Sequence, residues 1–259
     1  MQISVLGCGW LGLPLTEAMI QKGFVVKGST TSQDKLPLLQ AAGLIPYAIK
    51  LSVTVEGDVA GFPEGSEILV IDIPPKAKEG NFVDKLRIFL PHIEKAGIEK
   101  IIFVSSTSVY GDDNSVVTEE TVPMPETESG RQLLEAEQIL CDKFPQATII
   151  RFGGLIGGER QPVKHLAGKT GLENPDAPIN LIHRDDCIGI ILKIIERGAW
   201  GEIFNGVAPH HPTRKEYYTD KAEAYGLPVP MFSVDAISNG KIISADKIME
   251  KLDYSFREI

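Results

Sequence analysis

The chain is short of cysteine, of positive charge and of long apolar runs, and each shortage removes a class of protein. Its three cysteines, Cys8, Cys141 and Cys187, stand far apart with no C-x-x-C spacing. Neither a disulfide framework nor a zinc site is indicated, and a reducing, cytoplasmic setting is expected. Acidic residues outnumber basic ones by 35 to 26, for a formal net charge of −9. A general nucleic-acid or membrane-surface binder needs a basic field, so no nucleic-acid and no membrane partner is expected. No stretch reaches the ~18 apolar residues of a membrane span, and the opening residues lack the basic start of a secretory leader. Tyrosine is also missing from a long interval, with none between Tyr110 and Tyr217.

What is present points to small-molecule chemistry. With 259 residues, 43% of them apolar, the chain can bury one substantial core carrying a smaller lobe. Gly7, Gly9 and Gly12 form a G-x-G-x-x-G loop directly after the apolar run Ile3 to Leu6 and before the helical stretch Leu11 to Lys22. That order is the one a dinucleotide requires. Gly7 allows the tight turn, Gly9 lets the backbone approach a pyrophosphate, and Gly12 lets the helix pack on the sheet, while the amides around Trp10 and Leu11 face the anion. A second strand from Phe24 to Lys27 completes a βαβ opening.

Short apolar strands then alternate with amphipathic helices. Strands are predicted at residues 44–49, 67–71, 100–104 and 148–152, and helices at 33–42, 82–96 and 128–144, with Gly23, Gly43 and Gly97 as C-terminal stops. Right-handed crossovers make this an α/β fold, a doubly wound parallel sheet (Rossmann fold) over residues 1–152. Residues 153–259 are predicted to form a mixed region that returns to the sheet and builds a small substrate lobe. Asp186 is expected to cap a helix running to Arg197.

After the fifth strand comes Ser105-Ser106-Thr107-Ser108-Val109-Tyr110-Gly111. This segment resembles the extended short-chain dehydrogenase/reductases, the NAD-dependent epimerase/dehydratase family, many of which act on nucleotide sugars. Residues 151–157 are similar to the family's R-x-x-x-x-Y-G, Leu181 to Asp186 to its I-H-V-D-D, and Phe204-Asn205 to its Y-N-V. The resemblance implies that Ser105, Ile73 and Pro74 lie beside the cofactor and that Ser106 polarises the substrate. It also implies a homodimer, through helices near strands four and five.

The resemblance fails at the proton relay. In the family a tyrosine transfers the proton, and a lysine four residues later lowers its pKa and holds the nicotinamide ribose. Here Ser129 stands at the tyrosine position and Leu133 at the lysine. An aliphatic hydroxyl releases its proton far less readily than a phenol, and leucine supplies no charge. Together with the G-x-G-x-x-G loop, these departures resemble the atypical subgroup of the superfamily. If chemistry survives, Tyr110 and His183 are the candidates to supply the proton, alongside Ser106.

The second strand ends in Ser29-Thr30-Thr31 with no acid to repel a 2′-phosphate, which favours NADP while leaving NAD possible. Basic residues of the lobe, Arg160 and Lys164 among them, suit an anionic substrate such as a phosphorylated or nucleotide-linked small molecule. The competing expectation is a catalytically silent sensor of NADP(H) state that acts through a protein partner.

Overall fold

A computed structural model of the chain describes residues 1–52, 55–75, 81–233 and 237–259. The apolar runs become a seven-stranded, all-parallel sheet: β1 (Gln2–Leu6), β2 (Val25–Thr30), β3 (Ile45–Ala48), β6 (Ile68–Ile71), β7 (Lys100–Ser106), β9 (Thr148–Phe152) and β12 (Ile203–Gly206). Small pairs form outside it, namely antiparallel β4 (Lys50–Leu51) with β5 (Val55–Glu56), and parallel β8 (Val116–Val117) with β13 (Ile242–Ile243). After β9, β10 (Gly154–Ile156) runs parallel to β11 (Leu181–His183).

The main sheet is ordered β12-β9-β7-β6-β1-β2-β3, so the chain reverses direction at β1 and leaves a crevice beyond its carboxyl end. Helices cover both faces. Helices α1 (Gly12–Gln21), α6 (Arg184–Arg197) and α8 (Asp246–Leu252) contribute to one core, with Leu15, Met19, Ile190, Ile194 and Ile248 against Val5 and Val70. Helices α3 (Phe82–Ala96) and α4 (Glu128–Lys143) supply the other, with Phe89, Ile93, Ala136 and Leu140 against Leu69, Ile71 and Phe103. Burial on both faces is why β6 reads Ile-Leu-Val-Ile without alternation. The short helix α2 (Leu36–Ala41) follows β2, while α5 (Val163–Leu166) and α7 (Arg214–Ala224) pack against each other. There Tyr217 joins Ile156, Ile179 and Leu181 in a small separate core.

Two elements differ from the sequence reading for identifiable reasons. The helix predicted from Gln33 starts as a single 3-10 turn and becomes α-helical only at Leu36. Pro37 has no N–H to bond back to Gln33, so the regular helix cannot extend upstream of it. The cap of α6 is His183, whose Nδ1 accepts the amide of Asp185 at 3.2 Å. Asp186 therefore does not cap the helix. It turns inward, 1% exposed, and accepts the Tyr254 hydroxyl at 2.9 Å and the Arg257 amide at 3.3 Å. Among the described residues no helix is long and apolar enough to cross a membrane.

Candidate functional site

A cleft of about 740 Å3 opens at the carboxyl end of the sheet. Its floor is the loop between β1 and α1, and the sequence makes that loop as tight as it can be. Gly7 sits at φ 109°, and a Cβ there would lie 2.2 Å from the Asp72 carbonyl oxygen. A Cβ on Gly12 would lie 2.0 Å from the Gly7 carbonyl, so α1 starts in direct contact with the turn. Gly9 is different, because a Cβ there would meet nothing within 4 Å and would project into open space. Among the described residues no protein acceptor is seen for the amides of Trp10 and Leu11 at the head of α1. Free amides, a helix N-terminus and unfilled space together fit the diphosphate of a dinucleotide.

On the β2 side the cleft is lined by Ser29, Thr30, Thr31 and Lys35, and no acid stands among them. Ser29 is 2% exposed and already engaged, since its Oγ accepts the Gly7 amide at 2.9 Å. Thr30 Oγ1 accepts the Ser32 amide at 3.3 Å, which leaves its hydroxyl hydrogen, with Thr31 and Lys35, to meet a ligand there. On the β6 and β7 side the wall is Asp72, Ile73, Pro74, Phe82, Lys85, Ser105, Ser106 and Leu133.

Asp72 is the least expected member of that wall. It leaves β6 directly under the glycine loop and accepts the Gly12 amide, which favours its charged form. Burial of the carboxyl outweighs that bond and raises its pKa from 3.8 to about 8. Burial thereby favours the neutral form of this acid near pH 7. Cys8, inside the glycine loop, has its thiol pushed up to about 12, first by burial and then by Asp72, so it stays protonated and inert.

The serine-rich segment divides its residues between the cleft and the core. Ser106 lines the cleft, and its Oγ accepts the Ser108 amide at 3.1 Å, capping a 3-10 turn. Ser105 donates to Glu137 Oε1 at 2.5 Å. Glu137 also takes two nitrogens of Arg151, the shorter contact being 2.6 Å, and both side chains are 3% exposed. Arg151 donates onward to the Tyr110 hydroxyl at 2.5 Å, which in turn donates to Asn205 Oδ1 at 3.0 Å. Tyr110 is 3% exposed and lies outside the wall of the main cleft. Its phenol is held above its ordinary pKa by burial, in spite of Arg151.

Other sequence candidates lie apart from the cleft. Ser129 is exposed at the start of α4, with its hydroxyl 3.3 Å from that of Thr127. His183 caps α6 and faces Gly157, where a Cβ would come within 2.7 Å of Nε2. Lys164 is exposed on α5. Arg160 does reach the cleft, carried by a tight turn in which it exchanges both backbone hydrogen bonds with Gly157 at 3.1 Å. Its guanidinium lies 5.0 Å from the ring centre of Trp10, and that of Arg184 lies 5.2 Å from the same ring. Neither Trp10 Nε1 nor Arg184 Nε, both buried, has a hydrogen-bond partner among the described residues. Among those residues no group of three or more His, Cys, Asp or Glu side chains converges as metal ligands.

Over 264 aligned residues the chain is 33% identical to Protein YeeZ of Escherichia coli, with 99% of this chain and 96% of that protein covered. The chain belongs to the YeeZ family. No protein-family model matches it. Among solved structures it is similar to a Methylobacillus flagellatus protein described as an NAD-dependent epimerase/dehydratase, with a TM-score of 0.82 and 24% identity over 98% of this chain and 92% of that one. It is also similar to UDP-glucose-4-epimerase from Stenotrophomonas maltophila, solved with bound NAD and formylated UDP-arabinopyranose. That comparison gives a TM-score of 0.82 and 16% identity over 100% of this chain and 94% of the epimerase. At such identities the likeness establishes a shared fold, the Rossmann-type architecture of epimerase/dehydratase proteins.

Proposed function

We propose that the cleft binds a nicotinamide dinucleotide, NADP in preference to NAD, and that an anionic, phosphorylated or nucleotide-linked small molecule binds beside it. The observation that carries this reading is the glycine loop, with open space over Gly9 flanked by unpaired amides at the head of α1. Thr30, Thr31 and Lys35, with no acid beside them in the wall, support the preference for a 2′-phosphate. Arg160 over Trp10 supports an anionic partner, because a guanidinium at the cleft mouth can hold a phosphate in bidentate fashion.

When bound, such a cofactor supplies hydride transfer. The chain's own part is to orient it and to hold a hydroxyl at the reacting end. Ser106 has that place, with its oxygen accepting one amide and its proton left to donate to a substrate oxygen. A second reading, a silent sensor of NADP(H) state, is favoured by one observation. The wall beside Ser106 offers Leu133 and no tyrosine, so an ordinary proton relay has no donor there.

Titration with NADPH and NADH by fluorescence, followed by turnover assays on nucleotide sugars and aldehydes, separates the readings. An enzyme oxidises NADPH with one of these substrates, and Ser106→Ala lowers that rate about 100-fold. Binding without turnover, joined to a protein partner captured only in one redox state, supports the sensor. No binding of either dinucleotide overturns both.

A further inference from the structure

An arginine carries five N–H donors in a fixed fork and no acceptor, so a fold that holds one in place usually supplies an anion or a carbonyl. Of the eight arginines in this chain, five meet a carboxylate and Arg214 donates to the Glu173 carbonyl at 2.9 Å. Arg160 and Arg184 have neither kind of partner among the described residues. Both are held against the same indole, with guanidinium groups 5.0 and 5.2 Å from the ring centre of Trp10. Arg184 Nε and Trp10 Nε1 are buried there without an acceptor, so the cluster holds donors in excess.

The backbone builds this convergence from three elements. Arg184 is the first residue of α6, directly after β11. Gly158, at φ 57°, lies against it, and a Cβ there would come 3.5 Å from Arg184 Nη1. The turn that begins at Gly157 and Gly158 closes at Arg160, so the head of α6 supports the segment that carries Arg160 into the cleft. Trp10 comes from the glycine loop itself. Arg184 stands where the I-H-V-D-D pattern has valine, which makes the second guanidinium a property of this chain. Its neighbour Asp185 turns to Arg257 at 3.0 Å and leaves it uncompensated.

Two cations that share one ring repel each other, and an anion that joins both forks turns that repulsion into attraction. A diphosphate presents two phosphoryl groups, one for each fork. Resting on the dinucleotide reading of the cleft, we propose that Arg160 and Arg184 together bind a diphosphate beside Trp10, whether the bridge of the dinucleotide or that of a nucleotide-linked second ligand.

Calorimetric titration of three probes tests the pair: ADP-ribose, which carries the dinucleotide's bridge, UDP, which carries that of a nucleotide-linked ligand, and adenosine, which carries none. Arg160→Met and Arg184→Met are each expected to weaken ADP-ribose or UDP about ten- to a hundredfold and to leave adenosine within about twofold. Adenosine thereby also reports that the variant's cleft is folded. Loss confined to ADP-ribose assigns the pair to the cofactor's bridge, and loss confined to UDP assigns it to the second ligand. Added salt should weaken the affected probe more steeply in the unaltered protein than in R184M, a difference that a mere packing role for Arg184 does not produce. Either variant binding both diphosphates as the unaltered protein does, equal salt dependence, or loss of adenosine in proportion overturns the pair. If the unaltered protein binds neither NADPH nor ADP-ribose, it is the dinucleotide reading itself that fails.

Discussion

The two sides of the cleft use similar residue types to opposite ends. On the β2 side, Thr30, Thr31 and Lys35 face a ligand's path, while Ser29 is committed to the Gly7 amide and Thr30 Oγ1 accepts the Ser32 amide. On the β7 side, Ser105, Tyr110, Asn205, Arg151 and Glu137 bond to one another inside the protein, and Ser106 lines the cleft. Residues that look like reagents on the second side are in large part structural. The comparison teaches that a polar side chain carries chemistry only when its partners leave it an open valence.

The largest effect is expected where that inner network is cut. Glu137→Ala leaves Arg151 buried without its counter-charge and should cost about 3–5 kcal/mol, read by urea denaturation. A loss under about 1 kcal/mol would mean that the β7 side is not held by this network, and the contrast between the two sides would collapse.

Asp72, at the boundary between the sides, sharpens the comparison through pH. Its folded pKa of about 8 lies above the unfolded 3.8. Below pH 4 both states hold the proton and nothing is lost. Between about pH 4 and pH 8 the unfolded chain ionises first, so stability falls as pH rises, and above pH 8 the deficit stays constant. Asp72→Asn, which keeps an oxygen for the Gly12 amide, removes that dependence. Because the open cleft leaves part of Asp72 in contact with water, the gain at pH 8 should be about 1–3 kcal/mol, with none at pH 4. Dinucleotide affinity of the unaltered protein should also drop above pH 8, and that of the variant should not. A variant whose stability parallels the unaltered protein from pH 4 to pH 9 refutes the neutral carboxyl.

The smallest effect belongs to the solvent-facing side. Lys35→Ala should reduce affinity for NADPH about five- to tenfold and leave NADH nearly unchanged, as expected of one exposed charge on a 2′-phosphate. Equal losses for both dinucleotides would show that this side does not read the phosphate.

The fold was legible in the sequence because its signals are local and repeated. Gly7 and Gly12 are required by contacts with Asp72 and with each other, and β6 is apolar throughout because both its faces are covered. What could not be read was the direction in which polar side chains point. Tyr110, His183 and Lys164 carry suitable chemistry, but their exposure and partners are set by residues as distant as Asn205 and Arg151, or by the turn at Gly157. Lys85, which lines the cleft, was missed for the converse reason. Within α3 it reads as one more charge of an amphipathic helix, and only the packing of α3 against α4 turns it inward.

Only two tryptophans occur in the chain, and the fold sends them to opposite ends of the sheet. Trp10 stands in the cleft near the guanidinium groups of Arg160 and Arg184, whereas Trp200 packs near Lys100 at the start of β7. The protein therefore carries its own optical gauge. With Trp200→Phe, ultraviolet emission arises from the indole at the mouth of the cleft, so occupancy can be followed without attaching a dye.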